Sequence, residues 1–475
     1  MSFLKFHEWG AKYGDIIGLK IGQQNVVVLN HYKHVAELFD KRGANYADRP
    51  RTHITHDILF PEGLHLLFAD YGPTWRFMRK AMMRLLNTKV VDTLLPIQTA
   101  ESLVTMQALV RDPEEWYNHI QRYSTAVILA SVFGLRGTSF DSPRVKDLYA
   151  TVHELTNLTE MGSTPPIDIF PFLKLLPDFM SPWRTRAQNL RIEYRRVYNS
   201  LVDEGKENLQ REDAPDCFLK RLLDDAPETG LSAEQITYVC GAFMEGGSDT
   251  TASAMLSFIL AMAAHPHIQR KAQREVDSKC GLDKSPTAED GMDLPYLRAI
   301  HDETLRWRPV APGGIPHAAA QDDWYNGYFI PKGTILFANT WSIHRTDEFR
   351  DPDSFIPERF VDNTFGTEPS KVQGDDQSQR RVNYTFGAGR RVCSGMRMAA
   401  NSLILNMAKV LWTFDLVPEN KEKPINTDVT ECYKSGILVF PKKFPVKFVP
   451  RSDARAMVIE REVQDVQPFL SNFKQ

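Results

Sequence analysis

Phe386-Gly-Ala-Gly-Arg-Arg-Val-Cys393-Ser-Gly395 is a glycine-rich loop that presents one cysteine just before an apolar helix. Gly387, Gly389 and Gly395 are expected to take positive φ and to let the backbone approach a flat ligand that a Cβ would obstruct. Met398, Leu403, Leu405, Met407, Val410 and Leu411 recur at helical spacing between Met396 and about Trp412, which places Cys393 near a helix N-terminus. There the helix dipole and free N–H groups are expected to lower the thiol pKa, making Cys393 a metal ligand or a nucleophile.

No His-containing ligand pair or Cys-x-x-Cys accompanies Cys393, so a tetrahedral zinc site lacks its other ligands. A single protein ligand suggests a macrocycle that supplies the rest, and haem iron bound by one Cys is such a case. Phe386-x-x-Gly389-x-Arg391-x-Cys393-x-Gly395 resembles the haem-binding signature of the cytochrome P-450 monooxygenases. The resemblance implies haem b with Cys393 as axial thiolate and with Phe386 and Arg391 beside it.

The rest of the chain bears on that resemblance in order. Residues 16–21 and 26–29 read as a hairpin, and 35–41 as helical. Residues 51–71 hold no sustained period; in the family this is a loop over the substrate, so Ile54, Ile58 and Phe60 become pocket candidates. Trp75 and Arg79 share one face of a helix running to about Leu86, while Arg76, Lys80 and Arg84 form a second stripe. The first pair resembles the family's Trp-x-x-x-Arg, which bonds haem propionates. The stripe suits an acidic electron donor or is a solvated face.

Residues 96–160 read as mostly helical. Prolines break the aromatic stretch 168–183, which could meet a membrane surface, guard an entrance, or simply bury its side chains.

Ser232-Ala-Glu-Gln235 resembles a capping box opening a helix that runs to His265-Pro266, ~30 residues or roughly 50 Å. Apolar residues on most of its faces predict a helix through the centre of a large domain. That helix argues against the three domains a length prior of about 150 residues would suggest, so 1–475 is read as one catalytic domain with a tail, 451–475, of no assigned role. Gly246-Gly-Ser-Asp249-Thr250-Thr251 interrupts it; Thr250 can bond back to a carbonyl of the preceding turn and open a groove. An acid and an alcohol beside a metal suggest oxygen activation, with Asp249 relaying protons and Thr250 holding a water. The string resembles the family's Gly-Gly-x-Asp-Thr, which implies that Phe243 and Gly246 border the substrate.

Further resemblances follow in the family's order. Glu303-x-x-Arg306 and Pro357-Glu-Arg359-Phe imply a structural ion network behind the haem loop. His317 is implied as a propionate donor, with Gly314 and Ile315 facing substrate, and Ile437 lies in the last substrate-contacting turn. Asn326-Gly327 signals a type I′ hairpin turn, and 365–380 reads as a polar, low-complexity, mobile loop.

A mainly α fold with a small β-rich lobe is expected, with the long helix over the haem. The implied reaction inserts one oxygen atom of dioxygen into a C–H bond of an apolar small molecule, in the style of fungal secondary metabolism, a terpenoid or polyketide. Electrons would come from NADPH through a separate flavoprotein reductase, since no nucleotide-binding motif stands out. A haem-thiolate isomerase or dehydratase, or a haem-binding sensor or carrier, are the alternatives; Asp249-Thr250 argues against both.

Net charge is -3, so no basic field points to nucleic acid. Five cysteines without regular spacing argue for a reducing setting. No apolar run is long enough to span a membrane. The anchor helix and proline-rich hinge that open eukaryotic relatives are missing, so the expectation is either a trimmed chain or peripheral membrane contact. A full-length form with an anchor would sit on the cytosolic face of the endoplasmic reticulum.

Overall fold

The computed structural model describes residues 1–160, 162–371, 380–420 and 422–474. The middle of the expected loop 365–380, residues 372–379, lies outside them.

The central helix spans Ala233–Ala264, 32 residues. Both halves of its capping box form: Gln235 N donates to Ser232 Oγ at 3.2 Å and Ser232 N to Gln235 Oε1 at 3.0 Å. It stops where Pro266 cannot continue the hydrogen-bond ladder. Its first half, with Ile236, Val239 and Phe243, belongs to one apolar core; its second half, with Met255, Phe258 and Ile259, belongs to another. The helices Trp116–Phe133, Pro182–Asn208 and Met396–Thr413 pack against it. The crossing with Trp116–Phe133 explains one of its glycines, since a Cβ on Gly247 would sit 2.4 Å from Ile128.

The β-rich lobe is a four-stranded sheet in the order Ile16–Ile21, Gln24–Leu29, Ile335–Ala338, His317–Ala318. The first pair is the expected hairpin, with Ile16 opposite Leu29. Val28 then pairs in parallel with Phe337, and Leu336 antiparallel with His317. That register carries His317 from the lobe towards the molecule's centre. The Asn326-Gly327 turn takes φ of 50° and 80°, as a type I′ turn requires.

Three segments depart from simple expectation. The stretch read as helix at 35–41 is a short α turn, Tyr32–Val35, continued by a wider π turn, Ala36–Lys41. From that turn the Asp40 carboxylate accepts a hydrogen bond from Gly389 N at 2.8 Å, tying the glycine-rich loop to the lobe. Within 168–183 the prolines leave two short turns, Pro171–Leu175 and Asp178–Met180; Leu175 and Phe179 are each 85% exposed while Trp183 is buried, so the segment buries only part of its apolar surface. The charged tail forms a helix, Asp453–Leu470, docked on Leu95–Arg111. Val458, Ile459 and Val463 enter the core, and Arg455 pairs with Asp277 at 2.8 Å. Charges on its outer face hid an apolar stripe of helical period.

Candidate active site

The central helix, the glycine-rich loop, the β lobe and the helix Pro73–Leu85 enclose a cavity of about 380 Å³. Cys393 is surrounded by protein yet its side chain is exposed to that cavity. Its own N–H donates to Phe386 O at 2.9 Å, closing the loop. Gly387 and Gly389 take φ of 72° and 66°, but Gly395 sits at −86°, where any residue fits, so only two of the three glycines are used for their positive φ. Gly389 is also pressed against the lobe, where a Cβ would lie 2.1 Å from Phe39 O.

Burial pushes the Cys393 thiol up, against the lowering expected from the helix terminus. The Gly395 N–H and the Arg79 guanidinium act in the other direction and are outweighed. Coordination to a metal deprotonates a thiol outright, so this environment suits a ligand better than a free nucleophile.

Positive charge crowds one side of the cavity. Arg79 donates to the Val392 carbonyl and, at 3.0 Å, to Ser394 Oγ. Arg391 donates to the carbonyls of Ala47, Leu66 and Ala69 at 2.7, 3.1 and 2.6 Å. Arg49, which the sequence reading missed, donates to Leu67, Ile315 and Pro316 carbonyls at 3.0, 3.0 and 2.7 Å. None of the three forms an ion pair among the described residues. Burial and the charges of Arg391 and Arg79 press the Arg49 pKa well below its usual range. Buried cations without counterions are unfavourable, so a ligand carrying carboxylates fits this wall. A macrocycle with a metal facing Cys393 and carboxylates facing the arginines matches the whole donor set.

Two expected propionate donors are used differently. The Trp75 indole N–H donates to Leu66 O at 2.9 Å, so its donor is already taken; its ring instead faces the Arg391 guanidinium at 4.1 Å. His317 lines the cavity and stacks on Phe39 at 4.0 Å, but its Nδ1–H donates to Tyr46 O at 2.6 Å. Burial holds the His317 pKa well below normal, and a neutral ring so bonded has no second N–H to offer an anion.

Across the cavity, Thr250 Oγ1 donates to Gly246 O at 2.6 Å, the back-bond expected from the sequence. Thr250, Gly246, Phe243, Gly314, Ile315 and Phe386 all line the space. Gly314, at φ 70°, could not carry a Cβ, which would meet Ala338 O at 2.5 Å. Ile54, Phe60 and Ile437 do not line it. Ile54 is packed into the core, and Phe60 is drawn into a ring cluster with His65, Phe68 and Tyr194. Leu438, the neighbour of Ile437, faces the cavity in its place.

Asp249 also lies outside the cavity wall. Burial raises its pKa to about 6, with Lys434 opposing. The folded chain therefore binds more protons than the unfolded one between about pH 4 and pH 6, and stability falls as pH rises through that window. Asp249→Asn is expected to stabilise the fold by up to ~3 kcal/mol at neutral pH and by roughly half as much near pH 5. Urea unfolding at both pH values checks this; a gain independent of pH would contradict the buried, proton-holding carboxyl.

Glu303, buried completely, takes a bidentate bond from Arg306 at 2.6 and 2.8 Å. Arg359 adds a contact at 3.1 Å and Ile356 N a bond at 2.7 Å. None of these groups lines the cavity.

The cytochrome P-450 family model matches residues 1–448, leaving the docked C-terminal helix beyond it. A cytochrome P-450 monooxygenase of Aspergillus niger, yanC, is 36% identical over 475 residues, covering 96% of this chain and 87% of its own length. Another from Penicillium expansum, patH, is 36% identical over 466 residues, covering 97% and 87%. A zebra fish cytochrome P-450 solved with progesterone superposes with a TM-score of 0.76 at 24% identity, over 95% of this chain and 100% of that one, which shows the shared fold. With the family model spanning nearly the whole chain and fungal monooxygenases more than a third identical along it, the chain belongs to the cytochrome P-450 family, as one of its monooxygenases.

Proposed function

We propose that the chain is a haem-thiolate monooxygenase that inserts one atom of dioxygen into a C–H bond of an apolar secondary metabolite of terpenoid or polyketide type. The observation that carries this is Cys393, on its glycine-rich loop, exposed to a cavity walled by the buried Arg49 and the half-buried Arg79 and Arg391, none of which forms an ion pair among the described residues. Cys393 would hold the iron of haem b, and Arg49, Arg79 and Arg391 its carboxylates. When bound, haem b supplies the electron transfer and dioxygen chemistry that no side chain here can perform.

The chain's own residues orient, shield and deliver protons. Phe243, Ile315 and Leu438 give the cavity apolar walls that favour a greasy substrate and exclude water. Thr250 donates its proton to Gly246 O, so its oxygen keeps lone pairs to accept a bond from a water in the cavity. Asp249, next along the helix and titrating near 6, can hold a proton behind Thr250 and release it at neutral pH. Thr250→Ala should leave ligand binding intact yet cut product formed per NADPH consumed by at least ~10-fold, the remainder appearing as hydrogen peroxide. Unchanged coupling would remove Thr250 from proton delivery.

Electrons would arrive from NADPH through a separate flavoprotein reductase. Exposed Arg76, Lys80 and Arg84 on the helix Pro73–Leu85 support an acidic partner, although Arg84 also approaches Asp225 at 3.7 Å. Among the described residues no single helix is long and apolar enough to cross a membrane. The exposed Phe172, Leu175 and Phe179 favour peripheral contact with one, on the cytosolic face of the endoplasmic reticulum if the full-length form carries an anchor. The two cores share the central helix, which supports residues 1–475 acting as one catalytic unit.

The test is turnover of apolar metabolites under isotopically labelled dioxygen with reductase present. A product carrying one labelled oxygen, dependent on NADPH, is expected; rearranged, unlabelled product formed without reductase would overturn the proposal.

A further inference from the structure

One end of the apolar cavity carries two polar side chains that nothing above employs. His65 and Glu245 both line it, with His65 Nε2 at 2.9 Å from Glu245 Oε2. The side chains are 1% and 11% exposed. The approach is close but misaligned: among the described residues neither His65 Nε2 nor Glu245 Oε1 has an aligned hydrogen-bond partner. Leu67 N donates to His65 Nδ1 at 3.3 Å, which makes Nδ1 the acceptor and leaves the ring proton on Nε2. The cavity is thus offered one N–H donor and one free carboxylate acceptor side by side.

Behind Glu245 stand the Tyr194 and Tyr198 hydroxyls, both within reach of its carboxylate. Burial, the Glu245 charge and a hydrogen-bonding contact with Glu245 hold both phenols far above their ordinary pKa, yet among the described residues neither hydroxyl has a well-aligned hydrogen bond. Leaving buried polar groups unpaired is unfavourable. A helix that needed only apolar packing at position 245 would carry an aliphatic residue.

Resting on the monooxygenase reading, we infer that His65 and Glu245 form a docking site for a hydroxyl group, so the substrate is an apolar alcohol or phenol. A hydroxyl can give its proton to Glu245 Oε1 while accepting from His65 Nε2. A carbonyl would satisfy His65 alone and leave the carboxylate unpaired. A hydrocarbon would satisfy neither. Held by that one polar contact, an otherwise apolar molecule keeps a fixed orientation in the cavity.

The test uses haem-loaded protein and matched probes of graded size: naphthol and naphthalene, cyclohexylphenol and cyclohexylbenzene, octanol and octane. Binding is read by calorimetry and by the shift of the Soret band. At least one hydroxylated probe should bind ~10-fold or more tightly than its deoxy partner. Glu245→Leu should bring that ratio to about one by weakening the alcohol and not the hydrocarbon, and Glu245→Gln, which keeps an acceptor oxygen, should restore part of it. A merely structural Glu245 would weaken both members of a pair alike.

No preference for any alcohol in the wild-type protein, or a preference that survives Glu245→Leu, would overturn the inference. Should Glu245→Leu fail to fold, the wild-type ratio and Glu245→Gln decide it. A protein that takes up no haem would instead contradict the functional proposal, so the two failures are distinguishable.

Discussion

Cys393→Ala is expected to abolish monooxygenase turnover and the red-shifted Soret band of the reduced carbon monoxide complex, the spectral sign of a thiolate on the iron. The other four cysteines cannot substitute. Cys217 and Cys240 are buried with thiols pushed up to about 11 and well above the normal range, and none of the four lines the cavity. Haem uptake itself should be weakened rather than lost, because Arg49, Arg79 and Arg391 remain to hold its carboxylates. A red-shifted band that persists in the variant would mean that another residue binds the iron.

The second large effect is structural. Glu303→Ala leaves Arg306 and Arg359 in a buried network without their shared anion and strips an acceptor from Ile356 N. Removing one partner of such a network costs about 3–5 kcal/mol, a large part of the 5–15 kcal/mol that holds a typical domain folded. Most of the variant chain should fail to accumulate, and what folds should unfold at markedly lower urea. Arg306→Leu should be similarly damaging, since its guanidinium also bonds the carbonyls of His344, Pro352 and Ser354 at 3.0, 2.7 and 3.0 Å. A loss below ~1 kcal/mol in either variant would place the network among the weak, replaceable pairs of a protein surface.

The features legible in the sequence are those whose physical signal is local. A capping box, an apolar periodicity and a following proline marked both ends of the central helix. Asn-Gly between short apolar runs marked the hairpin turn, because few other pairs tolerate two consecutive positive φ values. Thr250 could be assigned its back-bond from the helix alone.

What escaped was set by distant parts of the chain. Trp75 and Arg79 share a helix face, but whether the indole N–H is free depends on Leu66 O, nine residues earlier in a segment of no regular period. Arg49 gains its place from carbonyls at Ile315 and Pro316, more than 260 residues away. The thiol's position near a helix terminus predicted a lowered pKa; burial, which no short window reveals, reversed the direction. His65 could be paired with Glu245 only once the chain was folded.

Iron K-edge absorption on the purified, haem-loaded protein tests the central claim most directly. The account predicts one sulfur neighbour beside the porphyrin nitrogens, absent in Cys393→Ala. A first shell of nitrogen and oxygen alone in the wild-type protein would contradict it.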